Sequence, residues 1–208
     1  MNTISDTRLK KHGGKRENAA AVGSSALLGV PSVTLALPGL ESESVRMDDI
    51  VITPADVARD VVNHFKPAGR ILDPCRGSGA FSNLIPGCEW CEIREGRDFY
   101  AWREQVDWIV SNPPYSVFAD FLRHSLTIAE NIVYLIPVNK IFNSDRMMRE
   151  IWTWGGVPEI YTVAGGGALG FPIGFAIGAV HFRRGYRGET RITFRTPNSE
   201  VSILPKDS

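Results

Sequence analysis

The run Asp107-Trp108-Ile109-Val110-Ser111 passes straight into Asn112-Pro113-Pro114-Tyr115, and this junction limits what the chain can fold into more than any other stretch. Prolines lack the N–H groups that a ladder needs, so an apolar run meeting two of them reads as a buried strand with an abrupt end. In an open α/β sheet, ligands bind just beyond the carboxyl ends of the strands. At this end stand a side-chain amide, two backbone carbonyls and an aromatic face. Such a set accepts two hydrogen bonds from a planar NH₂ group and stacks on the ring or amide that carries it. Asn-Pro and Pro-Pro are also ordinary turn signals. The surrounding sequence has to decide between the two.

That sequence alternates helical spacing with buried runs. Val57, Val61, Val62 and Phe65 predict a helix with Thr53 as its N-cap, Pro54 at its first position and Pro67-Ala68-Gly69 as its stop. A strand over 70–72 halts at Asp73-Pro74, followed by a glycine-rich turn over 75–81 and a short helix to about Leu84. A strand is expected at 89–93, then a short link to Asp98-Phe99-Tyr100, then the strand that ends in NPPY. Next come a helix over 116–130 with Phe118 and Phe121 toward the core, a strand over 131–138, and a helix over 143–154. Trp152 and Trp154 are expected to pack. A strand at 159–163 leads to Gly165-Gly166-Gly167, read as part of a mobile loop over 165–170. The run 175–182 pairs either with 191–195 or with the preceding strand. Helices alternating with buried strands predict an α/β fold: a doubly wound, mainly parallel sheet with an antiparallel C-terminal hairpin. The domain is expected over 48–197. Residues 1–47 read as a flexible tail, in which 32–37 suits an edge strand, and 198–208 read as a C-terminal tail.

Composition excludes several classes. The 23 Lys and Arg balance the 23 Asp and Glu, so no strong global field draws the chain to nucleic acid. The basic residues are uneven, however. Arg8, Lys10, Lys11, Lys15 and Arg16 crowd one end, and Arg183, Arg184, Arg187, Arg191 and Arg195 the other, as local patches suited to phosphates. Three cysteines, an odd number, argue against a secreted disulfide framework. Cys88 and Cys91 on a strand would face opposite sides, and no second Cys/His pair follows, so no metal is expected. Buried thiols in a cytoplasmic protein are the reading. The apolar stretch 26–40 is broken by Gly29, Pro31, Pro38 and Gly39, so no membrane span or signal peptide is expected.

Strand, Asp73, glycine turn and helix form a nucleotide-binding arrangement, because glycines let the backbone approach a ligand closely. Gly77 and Gly79 have no third partner at Ser82, so this is not the GxGxxG of a dehydrogenase. No P-loop lysine is present, which disfavours phosphoryl transfer. Glu92 ends the next expected strand at the spacing where such folds hold ribose hydroxyls.

Thr53-Pro54, Asp73-Pro74-Cys75-Arg76-Gly77-Ser78-Gly79-Ala80-Phe81, Glu92, Asp98-Phe99 and Asn112-Pro113-Pro114-Tyr115 together resemble the S-adenosylmethionine-dependent amino-group methyltransferases. The likeness is greatest to the DNA adenine-N6 group. It implies a Rossmann-like class I methyltransferase fold with S-adenosylmethionine as cofactor. It implies that the Thr53-Pro54 helix borders the methionine moiety, and that Asp73 and the Gly77–Gly79 turn hold its amino-acid end. It further implies that Glu92 binds the ribose, that Asp98 accepts from the cofactor's adenine amino group, and that Phe99 lies near that ring. Asn112 and the Pro113 carbonyl would accept from the target amine while Tyr115 stacks on a base flipped out of duplex DNA.

An exocyclic amine is a poor nucleophile, since its lone pair is delocalised into the ring. Two acceptors holding its protons favour pyramidalisation and aim the lone pair, so positioning and local electrostatics would carry catalysis. No nucleophilic cysteine is needed. The chain departs from the resembled group in two places. The link between Glu92 and Asp98 is too short for the helix usually found there, and no separate target-recognition region is visible. Specificity would be low, or come from tails and loops, or from a partner subunit. RNA adenine and a protein glutamine amide present the same planar NH₂ group, and a catalytically idle binding subunit is the reading from another class.

Overall fold

Pro54, rather than Thr53, stands at the start of the first helix. The computed structural model describes residues 52–165 and 175–195. The expected tails, the edge strand at 32–37, the basic cluster at 8–16 and most of the loop at 165–170 lie outside the described residues. Helix α1 (Ala55–Phe65) follows Pro54, whose ψ of 140° keeps it extended and whose side chain offers no cap. Val57, Ala58 and Val61 are its buried stripe. Full burial of each valine is worth about 1.5–3 kcal/mol. The helix ends where Lys66 turns left-handed, with its N–H bonded to the Val62 carbonyl at 2.9 Å, just before Pro67.

Seven strands follow, with two further helices: β1 (Ile71–Asp73), β2 (Glu89–Trp90), β3 (Val106–Ser111), α2 (Phe118–Ile128), β4 (Ala129–Pro137), α3 (Asp145–Trp154), β5 (Gly155–Gly165), β6 (Ala176–Arg184) and β7 (Arg191–Phe194). They make one sheet in the order β2-β1-β3-β4-β6-β5-β7. β1 is parallel to β2 and β3, β3 to β4, and β5 to β7, while β6 runs antiparallel to both β4 and β5. The mainly parallel, doubly wound sheet is therefore present. Ile132, Val133, Tyr134, Leu135 and Ile136 are buried in β4 at its centre, which is why that stretch reads as unbroken apolar sequence.

Three further expectations are corrected. No helix follows the glycine turn; residues 77–87 form successive turns. β2 is two residues long, and Glu92 beyond it makes an isolated antiparallel bridge with Arg97. Of the two pairings open to the run 175–182, the one with the preceding strand β5 is present, and 191–194 lies on the other side of β5 and parallel to it. Trp152 does not pack inside: it is 61% exposed, with the Arg187 guanidinium 5.2 Å from its ring. The short link beyond Glu92 holds only two 3-10 turns, Ile93–Glu95 and Phe99–Ala101.

Candidate functional site

β1 lies between β2 and β3, so the chain leaves β1 toward one edge and returns to build the other side. The crevice of a doubly wound sheet opens at such a reversal, beyond the carboxyl ends of the strands. Here those ends are Asp73 and Ser111. The Ser111 hydroxyl donates to Asp73 Oδ1 at 2.7 Å, the Cys75 N–H to the same oxygen at 3.4 Å, and the Ser82 N–H to Oδ2 at 3.3 Å. Asp73 is 1% exposed. Burial pushes its carboxyl up to about 6, against the pull of these donors.

The glycine turn is held beside it. Gly77 and Gly79 take φ of +52° and +87°, which L side chains rarely adopt. A Cβ on Gly79 would also strike the Asn83 side chain, whereas one on Gly77 would point into open space. Glu92 reaches back to this turn: Oε2 accepts from the Gly77 N–H at 2.8 Å, and Oε1 from Arg94 N at 3.3 Å. Its carboxylate is thus engaged with the backbone of the turn. Trp90, two residues earlier, lies under the Arg76 guanidinium at 4.4 Å and the Arg97 guanidinium at 4.0 Å.

Asp98 caps its own 3-10 turn through Tyr100 N at 2.9 Å. The Phe99 ring is buried against Phe121 at 5.1 Å and His124 at 4.7 Å, and Phe81 is likewise in the core. Pro74 and Pro113 are buried and Pro114 half-buried. Tyr115 is 6% exposed, and its carbonyl accepts from Lys140 Nζ at 3.1 Å. Thr53 comes to this end of β3 from the start of α1, with Pro54 half-buried beside it. The Asn112 amide donates through Nδ2 to Thr53 Oγ1 at 3.0 Å.

The fold thus gathers Asp73, the glycine turn and Glu92 on one side, and Asn112 with Thr53 on the other, around the β1/β3 reversal. Asp98 and Phe99 are tied to their own turn and to α2. Ser111 and Lys140 were not singled out in the sequence. Ser111 carries one signal, a polar residue ending an apolar strand, but its partner is distant in the chain. Cys75 and Cys88 are half-buried and Cys91 is buried. Burial pushes their thiols up to about 12, 12 and 11, so none is a poised nucleophile.

The C-terminal arginines are largely engaged within the protein. Arg184 donates to the Leu126 and Ala129 carbonyls, Arg187 to that of Gly155, Arg191 to Glu159, and Arg195 to Asp60 and Asp56. Arg183 pairs in register with Asn131, three residues before the Tyr134 that lies opposite Ser111. That part of the cluster sits at the far end of the sheet from NPPY. Among the described residues, no three His, Cys, Asp or Glu side chains converge as a metal ion would need, and no helix is long and apolar enough to cross a membrane.

No family model matches the sequence, and no curated protein matches it either. Solved structures do resemble it. A Listeria monocytogenes protein assigned to the class I S-adenosylmethionine-dependent methyltransferases aligns at a TM-score of 0.52 and 11% identity, over 73% of this chain and 68% of its own. A Pyrococcus horikoshii protein assigned as an RNA methyltransferase aligns at 0.45 and 12%, over 71% and 93%. A DrdV–DNA complex aligns at 0.46 and 12%, over 70% of this chain and 27% of its own. With the strand order and the antiparallel β6, the first of these places the chain in the Rossmann-like fold of the class I S-adenosylmethionine-dependent methyltransferases.

Proposed function

We propose that the chain is an S-adenosylmethionine-dependent methyltransferase that acts on the N6 amino group of adenine in DNA. The observation that carries this reading is the placement of Asn112. Its amide stands at the end of β3, beside the β1/β3 reversal, with its NH₂ held by Thr53.

The residues present suit the cofactor. Asp73 offers a buried carboxyl whose charged form an ammonium group would stabilise. Gly77 leaves open space where a side chain would otherwise stand, so a ligand can approach the backbone there. Glu92 lies within reach of the same turn and would meet ribose hydroxyls by releasing or sharing its bond to Gly77. When bound, the cofactor supplies a methyl group already activated on a sulfonium.

The chain's own residues handle the amine. Asn112 and the Pro113 carbonyl accept its two N–H bonds and turn its lone pair out of the ring plane, in a position where little reorganisation is needed. Tyr115 supplies the stacking face. Because its ring is buried, it must swing outward, or its neighbours withdraw, as the flipped base enters.

The test is transfer of labelled methyl from S-adenosylmethionine to unmethylated duplex DNA, structured RNA and a protein extract, with Asn112→Ala alongside. Label recovered as N6-methyladenine in DNA, and absent with the variant, is the expected result. Label on RNA or on glutamine would keep the chemistry and overturn the substrate. Failure of the folded protein to bind the cofactor would sink the enzyme reading.

A further inference from the structure

An asparagine side chain has two faces of opposite meaning. Its oxygen accepts and its NH₂ donates, and a half-turn about the last torsion exchanges them with almost no change of shape. If Asn112 is to receive the N–H bonds of a target amine, only one of the two orientations works; the other sets donor against donor.

We infer that Thr53 is the positioning residue that anchors the Asn112 amide at the end of β3. The inference rests on the proposed role of Asn112 and extends it. Thr53 Oγ1 accepts from Asn112 Nδ2 at 3.0 Å, so the NH₂ is drawn toward α1 and the amide oxygen is turned the other way. Thr53 is buried, which strengthens a hydrogen bond and raises the cost of losing it.

The support is rigid. Behind Thr53, the buried Val57, Ala58 and Val61 fix α1 to the core. Arg195, beyond β7, donates to Asp56 at 2.8 Å and to Asp60 at 2.6 Å, and its own N–H bonds to the Thr162 carbonyl at 2.9 Å. The C-terminal edge of the sheet thus clamps the first turns of α1 and, through them, the hydroxyl that faces Asn112. A residue serving only the cofactor would have no need of a bond to Asn112.

Thr53→Val keeps the shape and removes the acceptor, while Thr53→Ser keeps the acceptor. Methyl transfer to duplex DNA is measured for both beside wild type and Asn112→Ala, with cofactor affinity and melting temperature. The expected pattern for Thr53→Val is a fall in kcat of about tenfold or more, the scale of a lost buried hydrogen bond, with KM for DNA and cofactor affinity near wild type. Thr53→Ser should restore kcat.

A readout independent of turnover is the Asn112 side-chain NH₂ resonance pair in ¹⁵N-labelled protein, identified by its loss in Asn112→Ala. It should stay in place in Thr53→Ser and move or broaden in Thr53→Val. Wild-type kcat and an unmoved resonance in Thr53→Val, with Asn112→Ala inactive, would overturn the inference alone. Weakened cofactor binding with kcat kept would overturn it by assigning Thr53 to the cofactor. Full activity in Asn112→Ala would overturn both this inference and the reading of the site.

Discussion

The Ser111 hydroxyl and Asp73 Oδ1, 2.7 Å apart, join the carboxyl ends of two neighbouring strands at the point where the sheet reverses its winding. This bond links the residue before NPPY to the acidic residue that opens the glycine turn. The two motifs are therefore one structure, and a change at either should be felt at the other.

Asp73 should make stability and cofactor binding depend on pH in opposite senses. Burial raises its folded value to about 6 from an ordinary 3.8. Its contribution to stability is then fully present below pH 3.8 and lost as pH rises through 6, a difference of about 3 kcal/mol. Asp73→Asn should flatten that part of the curve, read as urea midpoints at pH 4.5 and 7. Cofactor affinity should rise with pH through about 6 in wild type, because its ammonium favours the carboxylate. Calorimetric titrations across pH 5–8 check this, and Ser111→Ala should move the midpoint upward.

Asn112→Ala should lose methyl transfer by about 100-fold or more, the scale of removing one preorganised polar contact at a reacting group. Cofactor affinity should stay within about twofold, since Asp73, Gly77 and Glu92 are untouched. Parallel single-turnover and binding measurements distinguish loss of chemistry from loss of cofactor.

Glu92→Ala should weaken cofactor binding by about tenfold, because its carboxylate positions the Gly77 N–H of the turn proposed to hold the cofactor. Glu92→Gln, which keeps an acceptor for Gly77, should fall between the two. Equal affinities for all three proteins would remove Glu92 from the site.

Away from the site, Glu159 is a test of the frame. Burial would raise its carboxyl, but Arg191, Thr193 and His64 outweigh it and hold the group at about 2. His64 also stacks on Tyr161 at 4.1 Å, so the cluster pins the end of α1 to β5 and β7. A depressed carboxylate contributes stability present above pH 4.5 and lost as pH falls through 2. Glu159→Gln should reduce stability at pH 7 by about 2 kcal/mol and blunt acid unfolding, followed by circular dichroism from pH 7 to 2.

Much of the fold was legible because its signals are local. β3 and β4 are unbroken apolar runs, α2 and α3 have helical spacing, and each lies within a residue or two of its expected bounds. The failures were local signals overruled from a distance. Gly77 and Gly79 announced a turn, but the chain after it stays non-helical, with Ser82 N bonded to Asp73 Oδ2. Thr53-Pro54 looked like a cap, but the hydroxyl belongs to Asn112, far along the chain.

By itself, the sequence determined the alternation of strands and helices, the abrupt end of β3 at NPPY, and the glycines that need left-handed backbone. These depend on propensity, periodicity and sterics among neighbours. Only the tertiary structure decided that Ser111 meets Asp73, that Glu92 holds Gly77, that Thr53 faces Asn112, and that β6 inserts between β4 and β5. These pairings join residues distant in sequence and depend on strand order and register, which local patterning does not encode.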